Sequence, residues 1–293
     1  MTESEFLATY NIRHFERPSI TTDIVLFTLD KTVHNIKQIC INGLQVLLIK
    51  RGSHPYKDKW ALPGGFCRPT ETVSQTAKRE LQEETGVSEI ALKPVGTYSD
   101  TERDPRGWII SNAFMGLTPK DRCMLRADTD AWDAAWFTLQ DFNSTVSETR
   151  TAECAIQTIT HRFTLSNNKK NEMLHNTVIE TRRIYPTHTE ITFGTENSEL
   201  AFDHGQIICE TFLTLKETLK HDIRLLFDLF PPTFTIGELQ KAYEVILNTK
   251  IQNFRRSIQN YVKETDITAE KSGYRPAKLY IKNTDYFIQS AYT

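Results

Sequence analysis

The stretch GFCRPTETVSQTAKRELQEETGV, residues 65–87, decides how the rest of the chain reads. It opens on a glycine turn and carries one acidic residue at Glu71 before Arg79-Glu80-Leu81, Glu83-Glu84 and Gly86-Val87. Val73, Ala77 and Leu81 recur every four residues, which predicts a helix with one apolar stripe, and Gly86 stands where a helix C-terminus accepts left-handed backbone. At about 100° per residue, Glu80 and Glu84 border that stripe and Glu83 lies next to it, while Ser74, Gln75, Lys78 and Gln82 face solvent. Three carboxylates at i, i+3 and i+4 repel one another, and a position bordering the core raises the cost of their charge. A cation is therefore expected among them. Oxygen-only ligands favour a hard ion, Mg²⁺ or Mn²⁺. Arg79 is spaced to pair with Glu83 one turn on. Gly64 and Gly65 let the loop backbone come close to metal or phosphate. The competing reading is a glutamate-rich solvent face, against which stand the glycine turn, Arg79 and the core-side placement.

The 293 residues leave room for two domains, and 39% hydrophobic with 25% charged residues is ordinary for a soluble globular protein. A net charge of −2 does not select a partner, but its distribution is uneven. Residues 248–282 hold eight Lys or Arg against three acidic residues. Five scattered cysteines without a C-x-x-C pair read as reduced thiols of a cytosolic protein, and localisation is expected to be cytoplasmic. The first residues lack the basic leader and apolar run of a signal peptide, and no stretch approaches transmembrane length.

Residues 1–17 read as an N-terminal arm. Strands are expected over 20–29, 44–50, 92–98, 108–117 and 134–139. Between the third and fourth lies Ser99-Asp100-Thr101-Glu102-Arg103-Asp104-Pro105-Arg106-Gly107. Its two arginines suit a bidentate clamp on phosphate, with an exposed polar turn as the alternative. Asp128, Asp130 and Asp133 are weaker candidates for a further metal ligand. Residues 143–199 are expected to add a long β-hairpin, segments 151–165 and 177–192 flanking polar 166–171. Residues 200–222 read as a connecting helix, and 223–293 as a second domain. There Thr235-Ile236-Gly237-Glu238 fits a capping box opening one helix, and a second helix follows a turn at 248–249. The second helix would point Ile251, Phe254, Ile258, Tyr261 and Val262 inward and Gln252, Asn253, Arg256, Asn260 and Lys263 outward. The outward residues suit base edges and phosphates. Lys271, Arg275 and Lys278 then suit a basic wing, with a solvated helical accessory domain as the bland alternative.

The 65–87 stretch meets every specified position of the Nudix box. With S-D-x-x-R-D-P-R-G after it and a helix leading to a C-terminal winged helix, the chain resembles the NrtR family of Nudix-related transcriptional regulators. The resemblance implies an α/β (α+β) fold, a Nudix α/β/α sandwich with a mixed sheet over 18–199 followed by a winged helix-turn-helix domain. It implies a homodimer that binds a double-stranded DNA operator and takes ADP-ribose or a related nucleotide sugar as effector. It also implies Mg²⁺-dependent hydrolysis of ADP-ribose to AMP and ribose 5-phosphate, as in an ADP-ribose pyrophosphatase. Glu80 and Glu84 match the principal metal-ligand positions, Glu83 a supplementary ligand or base, and Arg79 the residue that holds it. The long hairpin and Tyr274, where many wings have glycine, depart from the pattern. Three readings stay open: a regulator that also hydrolyses its ligand, a pyrophosphatase whose winged helix serves assembly, and a sensor without turnover.

Overall fold

The computed structural model describes residues 1–33, 39–123, 133–268 and 278–289. A short helix, α1 (Glu3–Thr9), has no buried residue and leads into β1 (Ser19–Val33). This strand runs antiparallel to β2 (Ile39–Lys50) and parallel to β6 (Ile109–Leu117). A run as apolar as Ile24-Val25-Leu26-Phe27 needs cover on both faces, and alternation divides it accordingly. Ile24 and Leu26 pack with Leu47 against Ala77 and Leu81 of α2 (Val73–Thr85). Val25, Phe27 and Leu29 pack with Val46 and Leu48 on the other face. That face is covered by α3 (His204–His221), a 3₁₀ turn at Ile223–Leu229 and α4 (Ile236–Leu247). The result is an α/β/α sandwich. Two short strands, β3 (Trp60–Ala61) and β4 (Gly64–Phe66), pair with β2 and β1, and β5 (Leu92–Tyr98) lies outside β6.

The expected added hairpin is larger than the sequence suggested. The strand expected at 134–139 continues as β7 (Ala134–Arg150), past a bulge where Asp141 takes φ 52°. It pairs with β8 (Ala155–Asn167), which pairs with β9 (Glu172–Ile184), which pairs with β10 (Thr189–Ser198). The sheet therefore reads β10-β9-β8-β7-β2-β1-β6-β5. Ile159, Phe163, Leu165 and Val178 supply the buried face of the meander. Its register is pinned by a polar chain: Ser144 Oγ lies 2.8 Å from His161 Nδ1, and His161 Nε2 lies 3.0 Å from Glu180.

In the C-terminal part, Thr235 Oγ1 accepts from Glu238 N–H at 3.2 Å while the Glu238 carboxylate accepts from Thr235 N–H at 2.9 Å, closing the capping box that starts α4. The helix expected after it does not extend over 251–263. Only one turn forms, α5 (Phe254–Ser257), because Asn253 before it sits at φ 58° and Val262 is already paired with Lys282. The apolar periodicity still has its effect, since Phe254 and Ile258 are buried. Asn260 lies in a turn, and Lys263 is on β11 (Val262–Thr268), which pairs with β12 (Lys278–Lys282) ahead of α6 (Thr284–Gln289). Lys271, Tyr274 and Arg275, like Asp128 and Asp130, lie outside the described residues. The two parts of the chain share one core: Leu226, Phe227 and Phe234 cluster with Phe27 and Leu48, and Lys31 reaches Glu238 at 3.4 Å. Among the described residues no helix is long and apolar enough to cross a membrane.

Candidate functional site

The site forms where β4 lies across β1. Gly64 pairs with Asp23, and a side chain at Gly64 would place its Cβ 2.0 Å from Thr22 O, so only glycine lets this backbone close in. Gly65 likewise leaves room for the Glu80 carboxylate, whose Oε1 would stand 2.5 Å from an added Cβ. Thr72 caps α2 through a capping box with Gln75, and Gly86 ends the helix at φ 72°, which fixes the axis along which Arg79, Glu80, Glu83 and Glu84 are spaced.

Arg79 is the hub. It donates to Glu71 at 2.7 and 2.9 Å, to Glu80 at 2.6 Å, to Glu83 at 3.0 Å and to the Phe66 carbonyl at 3.2 Å. Its hydrogen bond to Glu71 is the first cause that holds Glu71 down at about 2 and pushes the guanidinium up. Glu84 turns the other way and accepts the Gly64 N–H at 2.8 Å. Burial, then the charges of Glu80 and Asp23, raise its carboxyl to about 8. The donors of this carboxylate cluster are all oxygen, so the residues fit a hard divalent cation. Among the described residues no three acidic, histidine or cysteine groups yet converge as a ligand set, since Arg79 holds Glu80 and Glu83. Asp133 is outside this arrangement, in an ion pair with Lys170.

Beside Glu84 opens a cavity of about 200 Å³ lined by Asp23, Arg51, Arg103, Arg106, Phe202 and His204 among others. The two loop arginines separate in role. Arg103 is buried and committed to protein carboxylates, at 2.8 and 2.7 Å from Asp203 and 3.3 Å from Asp23, so it is not the free clamp arm that its loop suggested. Arg106 pairs with Asp104 at 2.7 Å, and its guanidinium lies 5.1 and 5.4 Å from the rings of Phe66 and Phe202 at the pocket mouth. Burial, then nearby Arg106, lowers the pKa of Arg51. Asp23 is buried, which by itself would raise its carboxyl, but His204, Arg103 and Ser111 hold it at about 2. The His204 ring accepts the Leu62 N–H on Nδ1 at 2.8 Å, which leaves the Nε2 proton toward Asp23 Oδ1, 3.4 Å away.

Asp23, Arg51, Phe202, Asp203 and His204 escaped the reading of the sequence. They come from β1, the residue that follows β2 and the stretch 202–204 that leads into α3, and no spacing links residues so far apart in the chain.

On the opposite domain, Gln252, Asn253, Arg256 and Asn260 are exposed around α5. Lys263 pairs with Asp285 at 2.6 Å and Lys278 with Glu264, so these two cations of the two-stranded sheet are partly neutralised. Arg255, exposed beside them, donates to the Tyr280 hydroxyl at 2.8 Å.

Residues 36–157 match the NUDIX domain model, and residues 226–281 match the NrtR DNA-binding winged helix domain model. The chain is 28% identical to the ADPR responsive transcriptional repressor NtrR of Acinetobacter baylyi over 95% of its own length and 87% of the relative's. It is 41% identical to the ADP-ribose pyrophosphatase of Methanocaldococcus jannaschii over 97 residues, 33% of this chain and 56% of that protein. The crystal structure of Shewanella oneidensis NrtR superposes with a TM-score of 0.59 at 26% identity, covering 91% of this chain and 95% of that one.

Proposed function

We propose that this chain, a Nudix domain joined to an NrtR DNA-binding winged helix domain, is a transcriptional regulator that binds operator DNA and takes ADP-ribose or a related nucleotide as its ligand. The observation that carries the reading is the presence of both domains, in this order, in a chain that aligns along nearly its whole length with an ADPR responsive repressor. The pocket chemistry supports it. Arg51 and Arg106 line a small cavity beside Glu84 and offer cationic partners to a diphosphate, while Phe66 and Phe202 offer flat apolar surface beside them.

Retained hydrolysis is part of the proposal, supported by the complete set Arg79, Glu80, Glu83 and Glu84 and by the pyrophosphatase likeness of the Nudix part. Glu80, Glu83 and Glu84 would hold Mg²⁺ or Mn²⁺, which when bound offsets phosphate charge and lowers the pKa of water. Arg79 orients Glu80 and Glu83. Gly64 N–H orients Glu84. The polar residues around α5 and the β11–β12 sheet would meet DNA phosphates and base edges, and the chain would act as a homodimer on a palindromic site.

Selection from a randomised duplex pool, with and without ADP-ribose and Mg²⁺, tests the reading. The expected result is a palindromic site that is released on adding ADP-ribose. Failure to enrich any site, in a preparation that hydrolyses ADP-ribose rapidly, would leave a pyrophosphatase whose winged helix serves assembly.

A further inference from the structure

A second arginine reaches the α2 carboxylates from the turn between β4 and α2. Residues Arg68-Pro69-Thr70-Glu71 close on themselves. The Arg68 carbonyl accepts the Glu71 N–H at 3.0 Å, and the Arg68 N–H donates to the Glu71 carboxylate at 3.4 Å. Proline at the second position presets this turn and restricts the residue before it to extended backbone. The Arg68 backbone is therefore fixed, with its side chain directed at α2. Its guanidinium lies 3.5 Å from Glu83 Oε1 and 3.9 Å from Glu71 Oε1.

Glu83 is thus claimed at both oxygens, by Arg79 at Oε2 and by Arg68 at Oε1. The two cations differ in how firmly they are held. The Arg79 side chain is 16% exposed and is also bonded to Glu71, Glu80 and the Phe66 carbonyl, so it stays in place if Glu83 turns away. The Arg68 side chain is 57% exposed, and its two ion pairs are long. A divalent cation that recruits Glu83 therefore takes Oε1, the oxygen that Arg68 covers, and brings two positive charges up to a guanidinium. Metal and Arg68 compete for one atom.

We propose that Arg68 is a positioning residue that withholds Glu83 from the divalent cation, so that hydrolysis of ADP-ribose needs more metal than binding of ADP-ribose does. The assignment rests on the retained hydrolysis proposed for this site and adds its regulation. Glu80 meets Arg79 at Oε1 and Glu84 accepts the Gly64 N–H at Oε2, so each keeps an oxygen outside the arginine contacts that enclose Glu83. Glu83 is then the last carboxylate to be recruited. An exposed ion pair shifts an equilibrium by no more than about fivefold, so Arg68 sets a threshold and not a block. At low metal the pocket keeps its ligand intact; at higher metal Glu83 joins and turnover begins. Sensing and destroying one ligand are thereby separated by metal concentration.

Three measurements on the full chain test the proposal: Mn²⁺ binding without nucleotide by electron paramagnetic resonance, the Mn²⁺ dependence of ADP-ribose hydrolysis, and ADP-ribose affinity in EDTA by calorimetry. Arg68→Gln removes the competing cation. Lys78→Gln removes an equal charge from an exposed position on the same helix. Arg68→Gln is expected to tighten Mn²⁺ binding by about three- to fivefold and to lower the half-saturating Mn²⁺ of hydrolysis by the same factor, with ADP-ribose affinity held within about twofold. Lys78→Gln is expected to move none of the three. Unchanged Mn²⁺ binding in Arg68→Gln overturns the assignment, and so does an equal shift in Lys78→Gln, which would make the effect one of net charge. Weaker ADP-ribose binding in Arg68→Gln with Mn²⁺ binding unmoved also overturns it, by making Arg68 a phosphate contact. A wild type that binds ADP-ribose but neither takes up Mn²⁺ nor hydrolyses its ligand overturns the retained hydrolysis itself, and this assignment with it.

Discussion

Arg79 satisfies three carboxylates and a carbonyl from one guanidinium, and Glu84 is left to the Gly64 amide. The division predicts distinct mutant behaviour. Glu84→Gln and Glu83→Gln are expected to lower ADP-ribose hydrolysis by on the order of a hundredfold or more while DNA binding is kept, because the proposed mechanism makes both carboxylates metal ligands. Parallel measurement of turnover and operator affinity checks this; joint loss of both would mean misfolding. A second residue-scale prediction concerns pH. The folded pKa of Glu210 is raised to about 7, so between its ordinary value and about 7 the folded chain binds the extra proton. Its contribution is therefore fully present below the ordinary carboxylate range and is lost as pH rises through about 7. Glu210→Gln should match the wild type in stability at pH 4 and exceed it at pH 8 by on the order of 1–3 kcal/mol, read from urea unfolding at the two pH values. An equal offset at both would refute the titration. Residues within the 65–87 stretch were legible because helix geometry alone relates them. Asp23 and His204 were not, since their meeting depends on how β1 and α3 pack.

Two elements departed from their patterns for local reasons. The apolar spacing of Phe254 and Ile258 spoke for a helix, and both side chains are buried, yet Asn253 in left-handed backbone and the pairing of Val262 shorten α5 to one turn. Periodicity reports which side chains go inward; it does not report how many consecutive residues keep helical dihedrals. Arg255 and Arg256 stay exposed, as the proposed DNA contact requires. Arg256→Ala is expected to weaken operator binding by about 1–3 kcal/mol if it meets a base edge, whereas a phosphate contact would instead flatten the salt dependence by about one unit of slope. Unaltered affinity and slope would take α5 out of the interface. Phe254→Ala should cost about 3–5 kcal/mol of stability, because the ring is 1% exposed in the core under α4. Urea unfolding of that variant measures it. β7 shows the opposite error: a strand expected to stop at 139 runs to 150, since it stays paired with β8 on both sides of the bulge between Gln140 and Asn143.

At the scale of the molecule, the winged helix part is not a bead on a linker. Phe227, Phe234 and Leu239 join Phe27 and Leu48 in one cluster, and α3 runs from the pocket residues Asp203 and His204 to the base of the second domain. A shared core predicts one cooperative unfolding transition for the full chain by calorimetry, and two well-separated transitions would contradict it. It also gives a route for ligand and DNA to oppose each other: whatever factor ADP-ribose removes from operator affinity, operator must remove from ADP-ribose affinity, and paired titrations should return equal factors. The sequence by itself determined the α2 helix and the spacing of its carboxylates, the strand-rich sandwich, the capping box at Thr235 and the order of the two domains, because these follow from spacing along one chain and from residue type. Tertiary structure alone decided that Arg103 is held by Asp203, that α3 opens inside the pocket and that both domains share a core. Each of those depends on residues far apart in sequence brought together by packing, and no local period carries that information.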